Sequence, residues 1–134
     1  MDELYIVFEG EIDLVSTKEL HSAISSANTQ GCKAINLIFS SVGGSTYLGF
    51  FLANLIQNFK IPIRIHANNH IDSIANIIYL SAKKRTSEAF ARFYLHGAST
   101  TIVGYKKELE EGVNSLKVEN NRIAQYIDYN TRIS

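Results

Sequence analysis

Three groups of residues in this sequence supply what a serine hydrolase needs. Such chemistry requires an exposed serine hydroxyl, an imidazole that accepts its proton, and backbone N–H donors that face the developing oxyanion. Ser73 follows a strand pattern and begins a helical one, where the helix dipole favours nearby negative charge. His96 ends a strand pattern, and Gly43 and Gly44 follow another strand, where glycine permits close approach to a ligand. The chain therefore offers a candidate for each part of such chemistry: Ser73 for the hydroxyl, His96 for the imidazole and Gly43-Gly44 for the backbone donors.

Each group also has a purely structural interpretation. A serine at a helix start is commonly a cap, and a histidine at a strand end is commonly a hydrogen-bonded surface residue. A glycine pair after a strand is commonly a tight turn. No single group identifies an activity, so the prediction depends on the order of the three groups along the chain.

Strands and helices alternate in the segments that position these residues. The apolar period switches repeatedly between two and about 3.6 residues, which is typical of an α/β fold. We expect Gly31 to end the first helix as a left-handed cap, and Asp72 or Ser73 to cap the third. The predicted strands are Leu4–Phe8, Ala34–Phe39, Ile63–Ala67 and one or two within Glu88–Leu95. The first predicted helix follows Glu9–Glu11 and buries Leu20, Ile24 and Ala27. The other predicted helices are Thr46–Asn58, Ser73–Ala82 and Tyr105–Tyr129.

Three polar loops follow predicted strands: Ser40–Ser45, Asn68–Asp72 and His96–Thr100. Ligand sites in parallel sheets lie at the carboxyl ends of the strands, so we expect a site formed by these loops. The strand Ala34–Phe39 is nearly all apolar, which predicts that both of its faces are covered.

Length, charge and cysteine content narrow the functional classes. The 134 residues suffice for one domain, and the 13 basic residues balance the 13 acidic ones. This balance gives no attraction to nucleic acid or to a membrane surface, and no apolar run is long enough to cross a bilayer.

The single cysteine, Cys32, predicts a packed thiol in a reducing cytoplasm. Residues 1–11 are unlike a signal peptide, and we expect no metal or cofactor.

The order and spacing of the three groups resemble those of the ClpP family of serine peptidases. The family's strand, Ser-Pro-Gly-Gly turn and helix are similar to the segment INLIFSSVGGSTYLGFFLANLIQNFKIP, and the stretch from Gly44 to Ser73 aligns without a gap. The strand that ends in the family's histidine resembles RFYLHGAS, two residues closer to the serine than is usual, with the shortening placed in Ala82–Thr86. The family's first strand resembles IVFEGEID.

The resemblance covers nearly the whole chain and implies its fold, site and partners. The implied fold is α/β, with ClpP/crotonase-like repeated β-α-β units and a long C-terminal helix, in a single domain over residues 1–134. Ser73 would be the nucleophile and His96 the general base, with the backbone N–H groups of Gly44 and Ile74 as the oxyanion hole. The implied partners are identical subunits in a ring, a peptide or unfolded protein substrate, and an ATP-dependent unfoldase.

The sequence departs from the family at several points. The family surrounds its serine with small residues, Gly-x-Ala-x-Ser-Met-Gly, whereas the chain has Asn69–Ala75, and Val42 replaces the proline of the oxyanion turn. Asp72 would oppose a neighbouring oxyanion by like-charge repulsion. The family's catalytic aspartate follows its long helix, and the sequence ends at Ser134 before that point. We therefore expect either a C-terminal truncation or a subunit without a complete triad.

Two other functions stay open from the sequence. A catalytically impaired ClpP-like pseudopeptidase with a role in assembly fits Asp72, the altered serine motif and the missing acid. A crotonase-type acyl-CoA enzyme uses similar backbone donors, but such chains are usually longer and no glutamate is placed here for proton transfer. Labelling of Ser73 by a serine-directed reagent favours the peptidase, and acyl-CoA binding favours the crotonase type.

Overall fold

The computed structural model describes residues 2–99 and 101–131, so Thr100, the end of the predicted loop after His96, lies outside the described residues. The chain divides into two compact units, residues 1–95 and 96–134. The first unit holds strands alternating with helices, and the second holds a long helix. The elements are β1 (Glu3–Ile12), α1 (Leu14–Thr29), β2 (Ala34–Gly44), α2 (Thr46–Asn58), β3 (Ile63–Asp72), α3 (Ala75–Ser81), β4 (Arg85–Ser87), β5 (Arg92–Tyr94) and α4 (Lys106–Thr131).

The strands of the first unit form one sheet in the order β1-β2-β3-β4, and the pairings of β1 with β2, β2 with β3, β3 with β4 and β3 with β5 are parallel. β5 pairs with β3 at residues 70–72, beyond the point where β4 pairs with residues 65–67. The two short strands therefore follow one another along the same edge of β3. The predicted α/β fold of β-α-β units is confirmed.

The first two helices form where the apolar period predicts them. The inward positions Leu20, Ile24 and Ala27 are buried, and Asp13 caps the start of α1 in a reciprocal capping box with Ser16. Gly31 follows the end of α1 with φ of 76°, so the predicted left-handed cap is confirmed. The predicted bounds of α2, Thr46–Asn58, are also confirmed.

Three strands extend further than the sequence predicts. β2 continues past Phe39 to Gly44, through most of the predicted loop Ser40–Ser45. β1 runs through Glu9–Glu11, the predicted turn, because a bulge between Gly10 and Glu11 lets pairing with β2 resume. β3 runs through Asn68–Asp72, the predicted loop, where the pairing register with β2 shifts. The Asn69 N–H donates to the Ser40 hydroxyl at 3.0 Å, which satisfies a backbone donor in the irregular stretch. The predictions of one turn and two loops at these positions are wrong.

The two faces of the sheet differ in burial. Phe8 and Leu37 lie on a buried face, whereas Tyr5 and Val7 on the other face of β1 are 65% and 72% exposed. Ile38, paired with Val7, is only partly buried. The prediction that β2 is covered on both faces is therefore wrong within the described part of the chain. Cys32 is buried, as predicted.

The second unit contains α4, a helix of 26 residues. Within its described residues no side chain is buried, and its apolar residues alternate with charged ones. No helix among residues 2–99 and 101–131 combines the length and apolar character needed to cross a membrane.

Truncation of a core side chain tests this packing. Leu52 in α2 is fully buried, so we expect Leu52→Ala to lower the free energy of unfolding by about 2–5 kcal/mol, through lost burial and the cavity left behind. Urea denaturation followed by circular dichroism measures the change. Leu14→Ala removes the same atoms from a side chain that is 58% exposed, and it should cost much less. Equal losses for the two variants would contradict the core described above.

Candidate active site

Ser73 lies in a sharp turn between the end of β3 and the start of α3. Its φ is 57°, and among the described residues it is the only one besides glycine with a positive φ. Such a conformation is costly for a residue with a Cβ and persists only where the surrounding structure fixes it. A strained turn between a strand and a helix projects its side chain at the rim of the sheet, as a serine nucleophile requires.

The backbone of Ser73 is tied to β5. Its N–H donates to the Tyr94 carbonyl oxygen at 2.9 Å, which continues the pairing of Asp72 with Tyr94 beyond the end of β3. Phe93 of β5 in turn packs against Tyr79 of α3, with ring centroids 5.2 Å apart. The Tyr79 hydroxyl donates to the Thr86 carbonyl at 2.8 Å, and burial raises the pKa of this phenol against an opposing effect of the Arg85 cation. Several elements thus hold the Ser73 turn.

Gly43 at the end of β2 lies directly against Ser73. A Cβ at Gly43 would sit 2.8 Å from the Ser73 Cβ and 2.9 Å from the Asp72 carbonyl oxygen, and the Gly43 φ is 90°. Only glycine fits this contact without movement, because both the space and the backbone conformation exclude a side chain. Gly43, the neighbour of the predicted oxyanion donor Gly44, therefore lies beside the serine.

The two glycines differ in what their backbone does. The Gly43 N–H donates to the Ser41 hydroxyl at 3.0 Å, and the buried Ser41 hydroxyl donates to the Gly10 carbonyl at 2.7 Å. This link braces the end of β2 where the family's proline is replaced by Val42. Gly44 is exposed, and the backbone of Ile12 occupies the space that a side chain at Gly44 would need.

Ile74 follows Ser73 as the N-cap residue of α3. It has helical dihedrals, it is 2% exposed, and no side chain caps the helix. The predicted helix start at Ser73, and the predicted capping by Asp72 or Ser73, are therefore wrong. The positive φ of Ser73 takes it out of the helix, which begins at Ala75. The N–H groups ahead of the first turn have no partner within a helix.

Asp72 makes side-chain contacts with two cationic or titratable neighbours. Its Oδ2 lies 3.2 Å from the His70 Nδ1 and 3.8 Å from the Arg92 guanidinium. Its other oxygen, Oδ1, is buried without a hydrogen bond in the structure. The carboxylate is thus partly balanced by Arg92, which reduces the repulsion it would exert on a nearby oxyanion.

His96 is the first residue of the second unit, and its side chain is exposed. Its Nδ1 lies 2.9 Å from the Gly97 carbonyl oxygen. Because a carbonyl oxygen only accepts, this contact places a proton on Nδ1. The following loop is held to α4, since the Ala98 N–H donates to the Asn120 side chain at 2.7 Å.

Two residues that brace the candidate site, Asn76 and Ser41, are not predicted from the sequence. Asn76 is buried in α3, and its side-chain amide donates to backbone carbonyls of the turn. Ser41 falls in the loop predicted at Ser40–Ser45, but the structure places it in β2, where its hydroxyl accepts from the Gly43 N–H. The signal for Asn76 was present, because an asparagine inside the apolar run IANII is a polar residue at a core position.

Comparisons with known proteins agree with this fold. A model of the Clp protease family matches residues 1–134, and no curated protein matches the chain. Among solved structures, a mutant of ClpP1 from Listeria monocytogenes is similar, with a TM-score of 0.87 and 20% sequence identity. The match covers 97% of this chain and 73% of that chain. The fold is therefore that of ClpP, and the match over the full sequence identifies this chain as a member of the Clp protease family.

Proposed function

We propose that this chain is the proteolytic subunit of a Clp-type assembly and hydrolyses peptide bonds of peptides or unfolded proteins. Ser73 would act as nucleophile and His96 as general base, with the Gly44 and Ile74 N–H groups stabilising the tetrahedral oxyanion. The observation that carries the proposal is the positive φ of Ser73 at the end of β3, directly against Gly43. A serine that only capped a helix would not need this conformation.

The chain connectivity supports His96 as the base. The Ser73 N–H donates to the Tyr94 carbonyl oxygen. His96 follows Tyr94 by two residues, so covalent geometry keeps the Cα atoms of Tyr94 and His96 within about 7 Å of each other. The Gly97 carbonyl oxygen accepts from the His96 Nδ1, so the lone pair of a neutral imidazole would lie on Nε2. In a Ser-His-Asp triad the aspartate fixes this tautomer.

The proposal predicts covalent labelling of one serine. We expect a fluorophosphonate to label Ser73 of the full chain, because only an activated serine reacts readily with such a reagent. Ser73→Ala should abolish the labelling and His96→Ala should slow it by about 10²-fold or more. The exposed residues Ser22 and His21 provide matched controls, and Ser22→Ala and His21→Ala should label as the unaltered chain does. Intact-protein mass spectrometry with peptide mapping measures the rates.

Absence of labelling in a folded and assembled chain would contradict the peptidase. It would favour the catalytically impaired ClpP-like subunit with a role in assembly. Acyl-CoA binding detected by calorimetry, together with unlabelled Ser73, would instead favour a crotonase-type enzyme.

The position of Ile74, the proposed second oxyanion donor, depends on a glycine in α2. Gly49 is buried, and the Ile74 side chain occupies the space of its missing Cβ. Alanine usually stabilises a helix interior relative to glycine. At Gly49 a methyl group would push Ile74 out of place.

Gly49→Ala therefore separates catalysis from helix propensity. We expect it to slow labelling of Ser73 by about 10²-fold, because a displacement of about 1 Å in an active site has an effect of this size. The control is Asn54→Ala at an exposed position of α2, which should leave the rate unchanged. Equal labelling rates in Gly49→Ala and the unaltered chain would exclude Ile74 as a donor.

Assembly into a ring of identical subunits is the second part of the proposal. Leu109 and Val113 lie one turn apart on α4 and are 43% and 52% exposed. Apolar side chains at this spacing form a stripe that a second copy can bury.

Disruption of the α4 stripe should reduce the size of the assembly. We expect the unaltered chain to sediment as an oligomer and Val113→Asp to shift it toward smaller species, because a buried carboxylate opposes association. Asn121→Asp adds the same charge at another exposed position of α4 and should leave sedimentation unchanged. A monomeric unaltered chain would contradict the proposed ring.

A further inference from the structure

Asn76 is a buried amide whose donors all point at the Ser73 turn. It is 5% exposed, and its Nδ2 lies 3.2 Å from the Ile71 carbonyl oxygen and 3.0 Å from each of the Ser73 and Tyr94 carbonyl oxygens. An amide nitrogen carries two hydrogens, so the three acceptors share them through a three-centre bond.

The three acceptors are the backbone groups that define the turn. Ile71 is the penultimate residue of β3, Ser73 is the strained residue itself, and Tyr94 ends β5. The Tyr94 carbonyl also accepts the Ser73 N–H at 2.9 Å, and the Ser73 carbonyl accepts the Asn76 N–H at 3.1 Å. One side chain therefore links the residues before, at and beside the turn.

A residue with a Cβ keeps a positive φ only where its surroundings fix it. The carbonyl of Ser73 would turn in a different direction if the residue relaxed to negative φ, and its bond to the Asn76 side chain would break. An apolar residue of similar size would fill the space between α3 and β3 without opposing that relaxation. The amide donors are thus the part of Asn76 that selects the strained conformation.

We propose that Asn76 is a positioning residue that holds Ser73 in its reactive conformation. Asn76 acts through the backbone of Ser73 and has no contact with substrate in this scheme. The inference rests on the proposed role of Ser73 as nucleophile, and it assigns a reason for a polar side chain in an otherwise apolar segment.

The main test compares two buried polar residues of α3. Asn76→Ala removes the donors to the turn, whereas Ser81→Ala removes a hydroxyl that is 4% exposed and bonds only within the helix, to the Ile78 carbonyl. We expect Asn76→Ala to slow fluorophosphonate labelling of Ser73 by about 10²-fold. The labelling rate of Ser81→Ala should stay within a few-fold of that of the unaltered chain, even where its melting temperature falls as far as that of Asn76→Ala. Equal slowing in both variants would reduce Asn76 to a residue of general stability and overturn the proposal.

Asn76→Leu separates donation from shape. Leucine has the same branching at Cγ, but it has no hydrogen-bond donor for the three carbonyl oxygens. We expect this variant to label at least as slowly as Asn76→Ala at neutral pH. Labelling at the rate of the unaltered chain would overturn the proposal, because the donors would then be dispensable.

Amide hydrogen exchange provides a readout that does not depend on activity or on a variant folding. In the unaltered chain we expect the Ser73 amide to exchange as slowly as the core amides of β3, since its N–H is bound to the Tyr94 carbonyl. Rapid exchange of this amide would show that the turn is not held and would overturn the proposal. If Ser73 never labels but its amide is protected and loses that protection in Asn76→Ala alone, the peptidase proposal fails and the positioning by Asn76 stands.

Discussion

The left-handed backbone at Ser73 is the constraint on which the rest of the candidate site depends. A positive φ at a residue with a side chain costs about 1–3 kcal/mol, so other interactions must offset it. The pairing of Asp72 with Tyr94 continues into the bond from the Ser73 N–H to the Tyr94 carbonyl, and Gly43 leaves room for the Ser73 side chain. Pairing with β5 and the missing Cβ of Gly43 together stabilise the positive φ of Ser73.

These contacts require strands that extend past the regular part of the sheet. β2 and β3 pair in one register up to Phe39 and Ala67, and in another at Ser41 and Ile71. The shift places extra residues in β3, and it carries the end of that strand to β5 instead of β4. Buried serine hydroxyls satisfy donors where the ladder is irregular, as Ser40 does for the Asn69 N–H. The polar residues near the site are thus structural partners of an irregular sheet.

Much of the fold follows from the apolar periodicity, and the details of the site do not. The period predicts α2 to the residue and the inward positions Leu20 and Ile24, since burial of an apolar face decides both. It predicts a loop at Asn68–Asp72 because those residues are polar, yet they pair in β3 through backbone bonds that composition does not reveal. The position of Ser73 was predictable from family resemblance. Its positive φ arises from contacts with Gly43 and β5, which are distant in sequence.

In the proposed site, the His96 Nδ1 contacts the Gly97 carbonyl oxygen, whereas a triad histidine contacts a carboxylate there. The carboxylate of a triad both fixes the tautomer of its histidine and stabilises the imidazolium that forms in the reaction. The Gly97 carbonyl can fix the tautomer through Nδ1, and its dipole gives part of the charge stabilisation but not that of a full negative charge. A carbonyl partner would therefore stabilise the imidazolium of the proposed reaction less than a carboxylate does. Acylation of Ser73 by a reactive reagent therefore demands less of this site than hydrolysis of a peptide, whose poor leaving group needs a proton from the imidazolium.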